Sequence, residues 1–154
     1  MRADRVTEVS LRAQYVPFDD LLARSDILSV HTPLTDQTRG MVGREAFARM
    51  KPGAIVINTA RGKIVDEEAL YQALVEGRLG GAGIDAYAVE PLPADHPLLK
   101  LDHVVLTPHS GGGVFDNVEN VARHVVDNMR KRLADEPFSP PDVIVAPRAA
   151  AQAS

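Results

Sequence analysis

Short apolar runs recur along this chain, and between most of them lie stretches with the 3.6-residue spacing of a helix. The clearest run is Ala54 to Asn58 (Ala-Ile-Val-Ile-Asn), with apolar side chains at four successive positions. Such a segment suits a strand buried on both faces of a parallel sheet. Ile27 to His31, Gly83 to Tyr87 and His103 to Leu106 are further strand candidates, and residues 13–16 are a short one. A helix is predicted over 18–23, with Asp19 and Asp20 in its acidic first turn, and another over 44–50, stopped by Lys51-Pro52-Gly53. Asp66 is a good N-cap for a third, which Glu67 and Glu68 support at its positive end and Gly77 terminates. Asp116 caps a last helix to about Ala134, in which Val118, Val121, Val125 and Met129 recur at spacings of three and four. Strands alternating with helices define an α/β fold.

Composition narrows the function. The 154 residues are 45% hydrophobic and 25% charged, enough for one globular domain with a core. The net charge of −4 gives no footprint for nucleic acid or an anionic membrane surface. Arg130-Lys131-Arg132 is the one dense basic cluster, and cations near a helix C-terminus suit the helix dipole. Cysteine is absent, which excludes disulfides and thiolate metal ligation and fits a reducing cytoplasm. No apolar run approaches the roughly 20 residues of a membrane span, and the charged start lacks a secretory signal. The expected location is therefore the cytoplasm. His96, His103 and His124 show no ligand spacing, so no metal is expected. Residues 136–154, rich in Pro and Ala, read as a disordered tail after a domain ending near 135.

Three candidate reactive residues lie just past strand candidates: Arg61, Glu90 and His109. In open parallel sheets, ligands bind beyond the carboxyl ends of the strands. A guanidinium matches a carboxylate and polarises a neighbouring carbonyl. A histidine exchanges a proton with an alkoxide, and a carboxylate beside it orients the ring and favours its cationic form. The set suits interconversion of a 2-hydroxy acid and a 2-keto acid, with the hydride carried by a cofactor. Taken singly, each residue reads as surface polarity or a turn; taken in order at strand ends, they read as a site.

The ordered motifs carry a resemblance. They are Ser25-Asp26-Ile27-Leu28-Ser29-Val30-His31-Thr32-Pro33-Leu34-Thr35, Met50-Lys51-Pro52-Gly53-Ala54, Ile57-Asn58-Thr59-Ala60-Arg61-Gly62, Val65-Asp66, Gly83-Ile84-Asp85, Glu90-Pro91-Leu92 and Thr107-Pro108-His109. From Ser29 to Gly112 the chain resembles the second half of the nucleotide-binding domain of the D-isomer-specific 2-hydroxyacid dehydrogenases. The resemblance implies a partial Rossmann-type, doubly wound parallel sheet over residues 1–135. It implies Arg61 as the substrate-binding arginine, His109 as the acid/base and Glu90 as its partner. Asp85 would hold the nicotinamide carboxamide of NAD, while Thr32, Pro33, Thr59, Ala60, Arg61 and residues His109, Gly111 and Gly112 would line the cofactor. His31 reads equally as a structural histidine or a cofactor contact. The implied assembly is a homodimer or other self-association, with small 2-hydroxy or 2-keto acids as substrates.

The first glycine is Gly40, so the family's G-x-G-x-x-G loop, and the acidic residue about 20 positions after it, do not precede these motifs. The expectation is a sheet lacking its first βαβ unit and the substrate domain. Residues 13–16 would then have no sheet to join, and the 27–31 strand would keep an unpaired edge. Weak NAD binding and self-association are expected of such a chain. Two alternatives stand beside the enzyme: a truncated, non-catalytic remnant acting as a subunit-binding module, and a different Rossmann ligand binder, which leaves Arg61, Glu90 and His109 unexplained.

Overall fold

A computed structural model describes residues 10–112, 115–139 and 142. The chain divides into two compact units between Gly111 and Gly112. In the first, four parallel strands lie side by side in chain order: β1 (Ile27–Val30), β2 (Ala54–Asn58), β3 (Leu79–Ile84) and β4 (Val104–Leu106). Helices α1 (Phe18–Arg24), α2 (Arg44–Arg49) and α3 (Glu67–Val75) precede or connect them. A 3-10 turn at Pro97–Lys100 lies in the connection from β3 to β4. Parallel neighbours require such crossovers, which bring every strand's carboxyl end to the same edge.

Alternation along the strands decides the core. Leu28, Val56 and Ala82 share one register row and are all buried, as are Val30, Asn58 and Ile84 in the row nearer the carboxyl edge. Leu22, Phe47, Leu70 and Leu74 bring all three helices onto that same cluster. The other face is open: Ile27, Ile55 and Val105 are 58%, 38% and 68% exposed. Burial of 54–58 on both faces is therefore not what the structure shows. Ala54, Val56 and Asn58 are enclosed, but Ile55 faces the side that none of these helices covers.

The helix signals act as expected. Asp66 accepts from Ala69 N at 3.0 Å, and Gly77 follows the helix at a φ of 68°. Arg78 donates to the carbonyls of Phe47, Ala48 and Met50, satisfying the exposed end of α2. Two strand expectations are corrected. The third strand runs from Leu79 rather than Gly83 and ends at Ile84; Gly80, Gly81 and Gly83 hide it, because glycine carries no strand preference. Gly80 and Gly81 are needed for close approach: a Cβ at Gly80 would lie 2.4 Å from Gly53 O, and one at Gly81 2.8 Å from His103 O. Residues 13–16 form no strand; among the described residues β1 pairs with β2 alone, and Gln14 accepts a hydrogen bond from Arg24.

The second unit contains α4 (Phe115–Leu133), which starts one residue before the expected cap at Asp116. Its apolar stripe of Val118, Val121, Val125 and Met129 is more than half exposed. The tail expected to be disordered falls largely outside the described residues.

Fully enclosed Leu70 and open Val105 give opposite expectations. Leu70→Ala should cost about 2–5 kcal/mol in urea unfolding, and Val105→Ala less than about 0.5 kcal/mol. Equal losses would contradict a core confined to one face.

Candidate active site

Each strand of the carboxyl edge hands over to a loop that is tied to its neighbour. After β2, the buried Asn58 side chain shapes the turn: Oδ1 accepts from Ala60 N and Nδ2 donates to Arg61 O, both at 3.1 Å. A buried amide with both ends satisfied holds its loop firmly. The turn sends Arg61 outward, where Nη1 donates to Ala60 O at 2.7 Å and the side chain is otherwise exposed. The next residue, Gly62, rests on the loop after β3. A Cβ there would lie 1.9 Å from Tyr87 C and 2.0 Å from Tyr87 O, a clash with backbone that no side-chain movement relieves.

After β3, Asp85 is 4% exposed and accepts three hydrogen bonds, from Thr107 Oγ1 at 2.5 Å, Ser110 N at 2.9 Å and Gly111 N at 2.8 Å. The Thr107 hydroxyl is the chief cause that holds this carboxyl below its ordinary 3.8; burial opposes it, and the two amides and the His109 charge assist. Tyr87 places its hydroxyl 2.9 Å from both Ile84 O and Thr107 O, and burial raises its pKa. Farther along, Glu90 Oε1 accepts from Tyr87 N at 2.9 Å.

After β4, Thr107-Pro108-His109 turns sharply, and His109 adopts a φ of 54°. A non-glycine residue in that region costs on the order of 1–3 kcal/mol and persists only where its surroundings over-determine it. Here they do, because Asp85 grips the next two amides. The imidazole Nδ1 lies 2.8 Å from Glu90 Oε2. A carboxylate can only accept, so Nδ1 carries the proton of the neutral ring and Nε2 presents its lone pair. Glu90 is held below its ordinary 4.5, first by the hydrogen bond from His109, then by the Tyr87 amide; burial opposes this, and the His109 and Arg61 charges add to it.

Glu90 and His109, at 38% and 39% side-chain exposure, border a cavity of about 320 Å³ with Tyr87, Leu92, Leu106 and Pro108. Arg61 borders a different one, a groove of about 520 Å³ lined by His31, Thr32, Pro33, Leu34, Thr59 and Ala60. The three strand ends are thus neighbours, and the guanidinium charge is felt at Glu90, yet the side chains occupy two concavities rather than one. His31 Nε2 is 2.8 Å from Ser29 Oγ, giving it a local partner at the groove's rim. Asn58, Gly62, Tyr87 and Thr107 shape the geometry; the sequence shows the first two and Thr107 inside the motifs but assigns none of the four a role. An Asn closing an apolar strand, followed by a glycine, is the signal that marks the first two. No group of three or more metal-ligating side chains occurs among the described residues, and no helix among them is long and apolar enough to cross a membrane.

Many solved structures share this fold. The family model for the D-isomer specific 2-hydroxyacid dehydrogenase, NAD binding domain, matches residues 2–111, and the chain belongs to that family. It is 48% identical over 122 residues to glyoxylate reductase of Korarchaeum cryptofilum, covering 79% of this chain and 37% of the relative. It is 44% identical over 129 residues to hydroxypyruvate reductase of Thermotoga maritima, covering 82% and 42%. The chain therefore spans about two-fifths of the curated relatives it matches. The holo form of Rhodotorula graminis D-mandelate dehydrogenase superposes with a TM-score of 0.84 at 35% identity, covering 96% of this chain and 43% of that one. Formate dehydrogenase from Staphylococcus aureus in complex with NAD gives 0.77 at 35% identity, covering 87% and 40%. These neighbours make the sheet part of a Rossmann-type fold, as the sequence motifs imply.

The two depressed carboxyls fix a pH dependence. As pH falls, the unfolded chain takes up these protons first, so the stability they confer is complete above about pH 4.5 and is lost as pH falls through the lower folded-state values. Urea midpoints measured from about pH 6 to pH 2 should fall less steeply below pH 4 in Asp85→Asn than in the unsubstituted chain. Identical slopes would contradict the assignment.

Proposed function

We propose that this chain carries the proton-transfer and carboxylate-binding half of an NAD-dependent oxidoreductase that interconverts a D-2-hydroxy acid and its 2-keto acid. The observation that carries the reading is the 2.8 Å contact between His109 Nδ1 and Glu90, which leaves Nε2 with no partner among the described residues. In oxidation, Nε2 accepts the hydroxyl proton while the carboxylate stabilises the resulting imidazolium; in reduction, the imidazolium returns that proton to the forming alkoxide. Arg61, with one of its donors used among the described residues, binds the substrate carboxylate through the others.

Bound NAD supplies or accepts the hydride. The residues present fit its nicotinamide end. Thr32, Pro33, Thr59 and Ala60 line a groove at the carboxyl edge, and Asp85 Oδ2 accepts a single amide, leaving capacity for one more donor such as a carboxamide. Gly111 sits too close to Asp85 for any side chain, since a Cβ would lie 2.8 Å from Oδ2. The domain reading that accompanies this is a partial nucleotide-binding domain over residues 1–135 in a cytoplasmic enzyme.

A second reading, a non-catalytic subunit-binding module, is favoured by two observations: among the described residues β1 pairs on one side only, and Ile27, Ile55 and Val105 leave an apolar sheet face open. Such surfaces invite pairing with another copy, and self-association is compatible with either reading.

Turnover separates them. With NADH and a panel of 2-keto acids that includes glyoxylate and hydroxypyruvate, a hybrid that joins this chain to the preceding half of a relative should turn over, and His109→Ala should lower its kcat by about 10²–10⁴-fold. Arg61→Ala should lower kcat/KM through weaker substrate binding. Unchanged rates in either variant would overturn the assignment, and no turnover by the unsubstituted hybrid would favour the module.

A further inference from the structure

Two carboxylates grip consecutive amides of the loop after β3. Glu90 Oε1 accepts from Tyr87 N at 2.9 Å, and Glu67 Oε1 accepts from Ala88 N at 2.7 Å. Each turns its other oxygen towards an imidazole: Glu90 Oε2 lies 2.8 Å from His109 Nδ1, and Glu67 Oε2 lies 3.6 Å from His96 Nε2. The second pair is the more enclosed, with both side chains 18% exposed. Nδ1 of His96 accepts from Leu98 N at 3.4 Å and caps the 3-10 turn. The neutral ring's proton therefore sits on Nε2, on the side of Glu67.

Glu67 is well placed to act as a fixed post. It is the first residue of α3, which is anchored in the core by Leu70, Ala73 and Leu74. The peptide it holds, between Tyr87 and Ala88, is the one that Gly62 touches: a Cβ at Gly62 would also lie 2.4 Å from Ala88 N. One side chain outside the carboxyl edge therefore braces the loop that carries Glu90 and the surface on which the Arg61 turn rests.

We propose that Glu67 is a positioning residue for the Glu90–His109 pair, holding the Ala88 amide so that Glu90 meets the imidazole from a fixed loop. The role rests on the reading of Glu90 and His109 as the proton-transfer pair, and the ordinary alternative is that Glu67 merely complements the dipole of α3. The two roles ask for different things. Positioning requires reach: an acceptor oxygen at the end of a glutamate-length side chain. Dipole complementation requires only negative charge at the helix N-terminus.

Glu67→Asp keeps the charge but is one methylene too short to reach Ala88 N, whereas Glu67→Gln keeps the reach and loses the charge. In the full chain, backbone amide spectra report the Ala88 hydrogen bond, and carboxyl ¹³C shifts followed over pH report the Glu90 titration. Glu67→Asp should shift the Ala88 amide to higher field and move the Glu90 midpoint up towards its ordinary 4.5, while Glu67→Gln should leave both near their original values. The reverse ranking, or a Glu90 midpoint that stays put while the Ala88 amide shifts, would overturn the proposal. Neither readout depends on turnover, so failure here is distinct from failure of the proposed activity.

Discussion

The carboxyl edge of this sheet is organised around a contact that leaves no room for a β-carbon. Gly62 lies directly on the Tyr87–Ala88 peptide, so the turn after β2 and the loop after β3 cannot move independently. Asp85 then ties the loop after β3 to the turn after β4 through the Thr107 hydroxyl and the amides of Ser110 and Gly111. Three loops from three strands thereby behave as one rigid part. Rigidity of this kind is what a proton-transfer site needs, because a misplacement of about 1 Å can cost on the order of 100-fold in rate.

The same ties account for the strained backbone of His109. Its left-handed conformation turns the imidazole towards Glu90, and the energy it costs is offset by hydrogen bonds that converge on a buried carboxylate. Buried polar groups around it are all partnered: no buried side-chain nitrogen or oxygen among the described residues lacks a hydrogen bond. Asn58 and Tyr87 spend their side-chain polar atoms on backbone, while Asp85 and Glu67 divide theirs between backbone amides and the side chains of Thr107 and His96. The residues proposed to react, by contrast, keep capacity free: the Nε2 of His109 and most of the Arg61 guanidinium have no partner in the described residues.

Sequence reading found what depends on local pattern. The β-branched run at 54–58 and the Asp66 cap with Gly77 are signals carried by the elements themselves, and they landed within a residue or two. The positions of Arg61, Glu90 and His109 beyond the strand ends were legible because each follows a strand-like segment in order. What escaped depends on approach between distant segments. β3 was misplaced because its glycines, required by the closeness of Gly53 and His103, erase the strand signal. Burial on both faces was expected of β2 because its composition permits it, whereas Ile55 is open because no helix of this unit covers that side. Glu67 looked like a helix-dipole residue, since nothing in sequence shows a side chain reaching 21 positions to a backbone amide.

The most direct measurement is a comparison of Gly62→Ala with the unsubstituted chain by amide hydrogen exchange and histidine ¹⁵N spectra. Coupled loops require that the added methyl loosen residues 85–90 and release the His109 Nδ1 proton from Glu90, while the β1–β2 ladder keeps its protection. Changes confined to residues 60–64, with the His109 ring and Glu90 unaltered, would show that the three strand ends are not one unit.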